Sequence, residues 1–323
     1  MSYLDEHYNE IFKKFTDEEL LKDIQSYQHG KGKLNKVLRQ WFEECIFKCI
    51  APRGNKSPWD ALQNDDDIKK MFEIISRNTT FYNGTEIQNI KSFIRNGGQV
   101  TRKVANFCPK NARDIYFRYH NIHGRTLNCL DTSAGFGSRM SAVLLSGHNY
   151  FGIDPNEELY DKLFDYWAWL YLHDIIREGQ ECRLKKCGSE VYIPEWENKM
   201  DVSFTSPPYF NLEIYANDTS ASTINYNNYE AWLEQFVKPT IDNTYKYLKN
   251  GGYAMINIKN LTIKGKQPLF DDWFKIFSDH GGFEFVEIFD IKLPSAKQYY
   301  QNCTYNKEEY KGFKEPVMSF RKV

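Results

Sequence analysis

The spacing of apolar residues in the first third of the chain is helical. Apolar side chains recur every three or four positions in LNKVLRQWFEECIFKCI, DDIKKMFEIISRN and TEIQNIKSFIRN. The segment TDEELLKDIQSY begins with Thr16, and Glu19 follows three positions later, which is the pattern of a capping box. Gly97 and Gly98 end this part of the chain. We therefore predict a helical region over residues 1–98.

After about residue 126, short apolar runs alternate with amphipathic segments. The predicted strands are TLNCLD, NYFGID, ECRLKKCG, MDVSFTS, GGYAMINIKN, FEFVEIFDIKL and EPVMSFRKV. The predicted helices between them are SRMSAVLLSG, EELYDKLFDYWAWLYLHDIIREG, YEAWLEQFVKPTIDNTYKYLKN and LFDDWFKIFSDHG. This alternation predicts an α/β domain over residues 99–323, built on a doubly wound, Rossmann-like sheet of seven strands whose last strands pair antiparallel.

Composition narrows the class of protein. The formal net charge is −1 over 323 residues, so any nucleic-acid contact must rest on local positive charge. The seven cysteines show no zinc-binding spacing, which favours a reduced protein without a structural metal. The N-terminal segment lacks the features of a secretory signal, and no apolar run approaches membrane-spanning length. We therefore expect a cytoplasmic protein.

A glycine turn after the first predicted strand suggests a cofactor site. In LDTSAGFGSR, Gly135 and Gly137 permit a tight turn and close approach of a ligand, and Asp131 ends the strand. Asp154 ends the second strand, where an acid typically accepts hydrogen bonds from ribose hydroxyls. Met140 replaces the third glycine of the dinucleotide fingerprint, which favours a cofactor without phosphates. S-adenosylmethionine fits these features, although a glycine turn alone is often only structural.

The fourth predicted strand ends in a second chemical signal, SPPYF. Pro207 and Pro208 fix the backbone and remove two N–H donors, so carbonyl oxygens and the Ser206 hydroxyl remain as acceptors. Two acceptors can hold the hydrogens of an exocyclic amino group, while Tyr209 offers a face for an extruded base and Phe210 a second wall. The alternative is a strand that ends at two prolines and is followed by buried aromatics.

These motifs resemble the S-adenosylmethionine-dependent DNA amino-methyltransferases, which make N4-methylcytosine or N6-methyladenine. The catalytic tetrapeptide of that family is similar to Ser206-Pro207-Pro208-Tyr209. The resemblance, over about residues 100 to 323, implies S-adenosylmethionine as cofactor, duplex DNA with one flipped base as substrate, and a possible cognate restriction endonuclease. The cofactor residues that it implies are Phe107, Pro109, Asp131, Ser133, Gly135, Gly137, Asp154, Ser189 and Glu190. Serine at the first position of the tetrapeptide favours cytosine N4 over adenine N6.

Local basic segments are candidate contacts to the DNA backbone. TRKVANFCPKNARDIYFRYHNIHGR carries Arg102, Lys103 and Arg113 among several aromatics, and Lys264 and Lys266 follow the fifth predicted strand. An ordinary solvated surface is the alternative for each segment.

Two other functions remain open at this stage. The same fold could methylate an amine or amide in RNA or protein, or the chain could be a catalytically silent nucleic-acid-binding protein. The role of the N-terminal region is also open between DNA reading, a dimer interface and a lid.

Overall fold

The computed structural model describes residues 1–51, 56–96, 99–120, 124–210, 226–260, 267–291, 301–305, 308–313 and 315–323. The helices that precede the sheet are α1 (Tyr3–Ile11), α2 (Asp17–Gln28), α3 (Asn35–Lys48), α4 (Pro58–Leu62), α5 (Asp65–Ser76), α6 (Glu86–Asn96) and α7 (Pro109–Tyr116). Four of these helices begin at a side-chain N-cap, and α2 begins at the capping box predicted from the sequence.

The remaining chain alternates strands and helices as predicted. The strands are β1 (Asn128–Asp131), β2 (Asn149–Ile153), β3 (Cys182–Lys185), β4 (Met200–Thr205), β5 (Leu248–Asn257), β6 (Phe283–Asp290), β7 (Gln301–Tyr305), β8 (Glu308–Phe313) and β9 (Pro316–Lys322). The helices are α8 (Ser138–Leu144), α9 (Glu157–Leu172), α10 (Tyr229–Trp232), α11 (Lys238–Tyr247) and α12 (Leu269–Asp279).

Seven strands form one sheet in the order β3-β2-β1-β4-β5-β9-β6. The strands β1 to β5 run parallel, and β9 lies antiparallel between β5 and β6. The predicted doubly wound, seven-stranded α/β fold with antiparallel final strands is thus confirmed. The strand order reverses between β1 and β4, and ligands of open α/β sheets bind beyond the carboxyl ends of the strands at such a reversal.

Side chains alternate between two apolar cores on opposite faces of the sheet. In β1, Cys129 joins one core and Leu130 the other, while in β5 Met255 lies opposite Ala254 and Ile256. Helices α10 to α12 cover one face. The other face is covered by α7 to α9, and the apolar residues of α1 to α6 belong to the same continuous core. The boundary predicted at residue 98 stays a prediction.

The N-terminal helices therefore pack directly on the elements that carry the glycine turn. Phe42 of α3 is fully buried against Gly137, at the start of α8. The neighbouring Trp41 packs against Tyr166 of α9, with 4.9 Å between the ring centroids. The Tyr27 hydroxyl of α2 donates a hydrogen bond of 3.2 Å to a carbonyl at the start of α7.

The observed elements differ from the predicted ones in several places. Helix α9 ends at Leu172 rather than continuing through residue 179, because Asp174 adopts a left-handed conformation with φ 54°. The long helix predicted after β4 contains a π-helical turn over Leu233–Val237, just before Pro239, which has no N–H to donate. Helix α7, which is only eight residues long, and the β7–β8 pair were not predicted.

The contact of α3 with the glycine turn can be tested with two matched glycines. Gly137 and Gly179 both have positive φ, of 69° and 78°. A Cβ on Gly179 would meet open space, whereas a Cβ on Gly137 would overlap the Phe42 ring. We expect Gly179→Ala to lower the free energy of unfolding by about 1 kcal/mol from backbone strain. Gly137→Ala should cost a further ~1–3 kcal/mol from overpacking, as measured by urea denaturation. Equal losses for the two variants would contradict the packing of Phe42 on the turn.

Candidate cofactor and substrate site

Four polar residues meet where the carboxyl ends of neighbouring parallel strands lie together. Asp131 ends β1, Asp154 follows β2, Ser206 follows β4 and Asn257 ends β5. These strands are neighbours around the point where the strand order reverses. The predicted cofactor turn and the predicted catalytic tetrapeptide are thereby placed at the same edge of the sheet.

Asp131 is a fully buried carboxylate that joins these elements. Its Oδ2 accepts hydrogen bonds from Arg139 Nε at 2.8 Å and from the Tyr150 hydroxyl at 3.0 Å. Its Oδ1 accepts from the Ser133 N–H and from the Thr205 hydroxyl, both at 3.2 Å. Ser133 lies in the glycine turn and Thr205 directly precedes the tetrapeptide, so a single side chain fixes the position of both motifs. Because both of its oxygens accept hydrogen bonds within the protein, Asp131 positions the other residues of the site.

Arg139 neutralises this buried carboxylate, a role that sequence reasoning missed. Its guanidinium also donates to the Ser133 carbonyl, and it lies 5.8 Å from the centre of the Phe107 ring. Desolvation opposes its charge, but Asp131, Tyr116 and Tyr150 together outweigh this effect, and the pKa of Arg139 is raised. The sequence shows an arginine directly after the turn, in GFGSR, but not that its side chain pairs with Asp131.

Asp154 holds the glycine turn from the end of β2. Its carboxylate accepts hydrogen bonds from the Gly135 N–H at 2.8 Å and from the Asn156 N–H at 3.0 Å. Gly135 has φ 57°, so glycine suits the conformation that points this N–H at the carboxylate. Burial raises the pKa of Asp154 from 3.8 to about 6, although both backbone hydrogen bonds lower it. Each carboxylate oxygen retains a lone pair for a further donor.

The segment before β1 packs against β4 and contacts the glycine turn; the predicted cofactor contacts of Phe107 and Pro109 stay predictions. The Phe107 ring lies 5.5 Å from the ring of Phe204 in β4, edge to face. Pro109 is buried at the start of α7, where its missing N–H costs nothing. On the same helix, the Tyr116 hydroxyl lies 3.2 Å and 3.0 Å from carbonyl oxygens of β1 and β4. The side chain of Asn106 donates to the carbonyl of Phe136 in the glycine turn, at 3.1 Å.

Ser189 and Glu190, which follow β3, have different roles in the structure. The Ser189 side chain is buried and forms a 2.8 Å hydrogen bond with Thr240, so it ties this loop to α11. Within the described residues, Oε2 of Glu190 is buried and has no partner at ordinary hydrogen-bond geometry. The nearby Tyr226 has its pKa raised to about 12, first by burial, then by the Glu190 charge and by a side-chain hydrogen bond with Glu190. The Glu190 carboxylate therefore interacts with Tyr226, and its Oε2 keeps lone pairs that a ligand donor can fill.

The tetrapeptide is supported from β5 by Asn257, which sequence reasoning also missed. The Ser206 hydroxyl lies 3.5 Å from Asn257 Oδ1, and Asn257 Nδ2 donates to the Pro316 carbonyl at 3.0 Å. The second contact orients the Asn257 amide with its oxygen toward Ser206. When the hydroxyl donates its proton to that oxygen, its own lone pairs are directed away from Asn257 and can accept from another group. Pro207 is buried and Pro208 is half-buried.

The two aromatics of the tetrapeptide region differ in exposure. Tyr209 is half-buried, and its hydroxyl accepts a 3.2 Å hydrogen bond from the Lys259 N–H. Phe210 is only 9% exposed and packs against Tyr229 and Trp232. The structure therefore assigns Phe210 to the apolar core under the site rather than to the predicted base-stacking wall, because neighbouring rings cover it.

The predicted DNA-backbone residues lie in different environments. Arg102 is exposed, and Arg113 lies 3.9 Å from Asp114. Lys103 is half-buried in a group of charged residues that includes Glu43. Lys264 and Lys266 lie outside the described residues.

Within the described part of the chain, no helix is long and apolar enough to cross a membrane. The same residues contain no group of three or more His, Cys, Asp or Glu side chains arranged for a metal ion.

Comparisons with known proteins yield weak likenesses. No protein-family model matches the sequence, and no curated protein matches it. A TehB-like SAM-dependent methyltransferase from Corynebacterium glutamicum is 17% identical, with a TM-score of 0.42, over 73% of this chain and 95% of that chain. The N-methyltransferase NodS from Bradyrhizobium japonicum, in complex with S-adenosyl-l-homocysteine, is 11% identical, with a TM-score of 0.40, over 66% and 85%. A tRNA (m1A58) methyltransferase, TrmI from Aquifex aeolicus, is 11% identical, with a TM-score of 0.39, over 70% and 73%. These likenesses are too weak to carry an argument, and the fold rests on the strand order itself.

The buried pair of Asp131 and Arg139 can be tested with a double-mutant cycle. Asp131→Asn or Arg139→Met alone leaves one charge or its partners unsatisfied, and we expect each to cost about 3–5 kcal/mol of unfolding free energy. The double variant should cost less than the sum of the two by at least ~1 kcal/mol. Urea denaturation measures all three, with Lys22→Gln as the control because its ion pair with Glu18 is exposed. Additive losses would show that the two side chains are not coupled.

Proposed function

We propose that this protein is an S-adenosylmethionine-dependent DNA methyltransferase that acts on the exocyclic amino group of a flipped-out base, with cytosine N4 favoured over adenine N6. The observation that carries the proposal is the hydrogen-bonded connection from the glycine turn through Asp131 to Thr205. It holds the glycine turn beside the Ser-Pro-Pro-Tyr tetrapeptide where the strand order reverses, which supports a nucleoside cofactor at the turn.

The polar groups beside the turn are mainly acceptors, which fits the donors of an adenosine-containing cofactor. Asp154 has lone pairs for the two ribose hydroxyls, and the Glu190 carboxylate, which also interacts with Tyr226, suits the amino group of adenine. Phe107 and Asn106 flank the turn on the side of the preceding segment, where the amino-acid end of the cofactor would lie. When bound, S-adenosylmethionine supplies an electrophilic methyl group on a sulfonium.

The tetrapeptide would hold the target amino group for attack. The Ser206 hydroxyl and the carbonyl oxygen of Pro207 are acceptors for its two hydrogens, and Asn257 keeps the hydroxyl lone pairs free for this purpose. Such contacts draw the nitrogen towards tetrahedral geometry and aim its lone pair at the methyl carbon. The new N–C bond forms as the C–S bond breaks, and the proton released from nitrogen passes to solvent. The chemistry thus needs no nucleophilic side chain or strongly basic group.

Tyr209 would supply a face on which the extruded base stacks. The hydrogen bond from the Lys259 N–H fixes the tip of its ring, and the backbone before the ring is fixed by two prolines. A rigid aromatic positioned in this way suits a base removed from a duplex. The serine at the first position of the tetrapeptide favours cytosine, in accord with the resemblance described above.

The raised pKa of Asp154 predicts a pH dependence of cofactor affinity. Since burial raises this pKa to about 6, the neutral carboxyl predominates below that pH and accepts ribose hydroxyls less strongly. The Asp154 carboxyl also contributes to the stability of the protein without cofactor. This contribution is fully present below pH ~4 and is lost as the pH rises through ~6. Affinity for S-adenosylhomocysteine should fall by up to about tenfold from pH ~7 to ~5.

Isothermal titration calorimetry measures this affinity without catalysis. Asp154→Asn should bind more weakly at neutral pH and show a flat profile across the same window. The exposed Asp161→Asn is the matched control and should retain the wild-type profile. A pH-dependent profile that survives in Asp154→Asn would remove Asp154 from the ribose role.

Two substitutions at Tyr209 separate its ring from its hydroxyl. Tyr209→Phe keeps the stacking face and removes the hydroxyl that accepts from the Lys259 N–H, so methyl transfer to duplex DNA should persist. Tyr209→Ala should lower kcat/KM for DNA by roughly 10- to 100-fold, since stacking on one base contributes about 1–3 kcal/mol. Binding of S-adenosylhomocysteine should be largely unchanged in both variants. Full activity of Tyr209→Ala would contradict the proposed base contact.

A further inference from the structure

Three cations in the N-terminal half of the chain interact with one buried carboxylate, that of Glu43 on α3, and a fourth, Arg95, interacts with one of them. Arg39 Nε lies 2.8 Å and Lys91 Nζ 3.5 Å from Glu43 Oε2. Lys103 interacts electrostatically with Glu43, Arg39 and Arg95. The group of Arg39, Lys91, Arg95 and Lys103 is called the basic cluster below, and Glu43 can balance only one of its charges.

The basic cluster continues into a second group of cations around the ring of Phe15. Lys13 Nζ and Lys36 Nζ each lie 5.8 Å from the centre of this ring, and the Arg39 guanidinium lies 5.3 Å from it. Lys36 also pairs with Glu19 at 2.9 Å. Arg39 belongs to both groups, so they form one continuous basic surface.

This arrangement is unfavourable for the protein alone. The Lys91 side chain is only 13% exposed, and burial is the largest effect lowering the pKa of Lys91 and of Lys103. Glu43 raises both pKa values, but Arg39 lowers both again by repulsion. A bound polyanion would relieve the repulsion among these confined positive charges. Such a concentration of positive charge is unusual in a chain whose formal net charge is −1.

The basic cluster adjoins the cofactor turn through two short connections. Glu43 follows Phe42, which packs on Gly137 of the turn. Lys103 lies three residues before Asn106, which donates to the carbonyl of Phe136 in the turn. Lys103 is also tied to α6 by a 3.3 Å hydrogen bond from its N–H to the Ile94 carbonyl. A phosphate chain along the basic surface would therefore run towards the proposed site.

We propose that the surface formed by the basic cluster, the exposed Arg102 and the cations around Phe15 is the phosphate-backbone docking surface for duplex DNA. The N-terminal helices would thus hold the DNA while the sheet domain carries the chemistry. This inference rests on the proposed function and deepens it by assigning a role to residues 1–98. Grouped lysines and arginines suit contacts to phosphates, which position DNA independently of its sequence.

The test removes two exposed cations and leaves the contacts of Glu43 intact. Arg95→Gln/Arg102→Gln is compared with Lys22→Gln/Lys69→Gln, which removes the same charge from exposed lysines of the same region that already have acidic neighbours. The probe is a fluorescein-labelled duplex of mixed sequence, titrated at several salt concentrations. Fluorescence anisotropy gives the affinity, and thermal melting gives the stability of each variant.

The slope of log affinity against log salt should become shallower by about 0.9 for each lost phosphate contact, or about 1.8 for Arg95→Gln/Arg102→Gln. Affinity at about 0.1 M salt should fall at least tenfold on this basis. The control pair should keep the wild-type slope. The melting temperature of Arg95→Gln/Arg102→Gln should stay level or rise, because repulsion is relieved, whereas a purely structural role would lower it. Lys103→Gln should also give a shallower salt slope.

Three outcomes would overturn the inference. A wild-type slope in Arg95→Gln/Arg102→Gln, together with DNA methylation by the wild-type protein, would reject this surface and leave the proposed function standing. An equal loss of S-adenosylhomocysteine affinity in Arg95→Gln/Arg102→Gln would assign the cluster to the cofactor. If the wild-type protein neither binds the duplex nor methylates DNA, the proposed function and this inference are both rejected.

Discussion

The site depends on one buried carboxylate with a complete set of donors. Asp131 is fully inaccessible, and it receives donors from the turn, from α8, from β2 and from β4. Burying a lone charge is strongly unfavourable, so the chain must supply Arg139 and the surrounding hydrogen bonds for this fold to form. The same constraint makes the relative position of the glycine turn and the tetrapeptide a consequence of folding. If the proposed function is correct, the binding sites of the methyl donor and the methyl acceptor are therefore aligned before either molecule binds.

A second constraint comes from the N-terminal helices. Phe42 fills the space beside Gly137, and the apolar residues of these helices share one core with a face of the sheet. They support the glycine turn from one side, and Arg39, Lys91 and Arg95 of the basic cluster lie on the same helices. The packing of the N-terminal helices and the positive charge on their surface are thus both found next to the glycine turn.

The sequence predicted the parts of this structure that depend on local pattern. The strand and helix alternation, the turn at Gly135 and the ends of β1 and β4 follow from residue periodicity and from glycine and proline chemistry. Contacts between distant segments were not predictable. The support of Ser206 by Asn257 joins two strands, and the burial of Phe210 depends on rings of a later helix. The pairing of Arg139 with Asp131 was not predicted, because an arginine after a turn is ordinarily exposed to solvent.

The central claim is that this arrangement methylates an amino group of DNA. The most direct measurement offers tritiated S-adenosylmethionine to the protein with duplex DNA, transfer RNA and a cell protein extract in parallel, followed by mass spectrometry of the digested, labelled product. The account predicts label in DNA, recovered as N4-methylcytosine in preference to N6-methyladenine. Label confined to RNA or protein, or no label on DNA that carries varied sequences while S-adenosylmethionine binds, would contradict it.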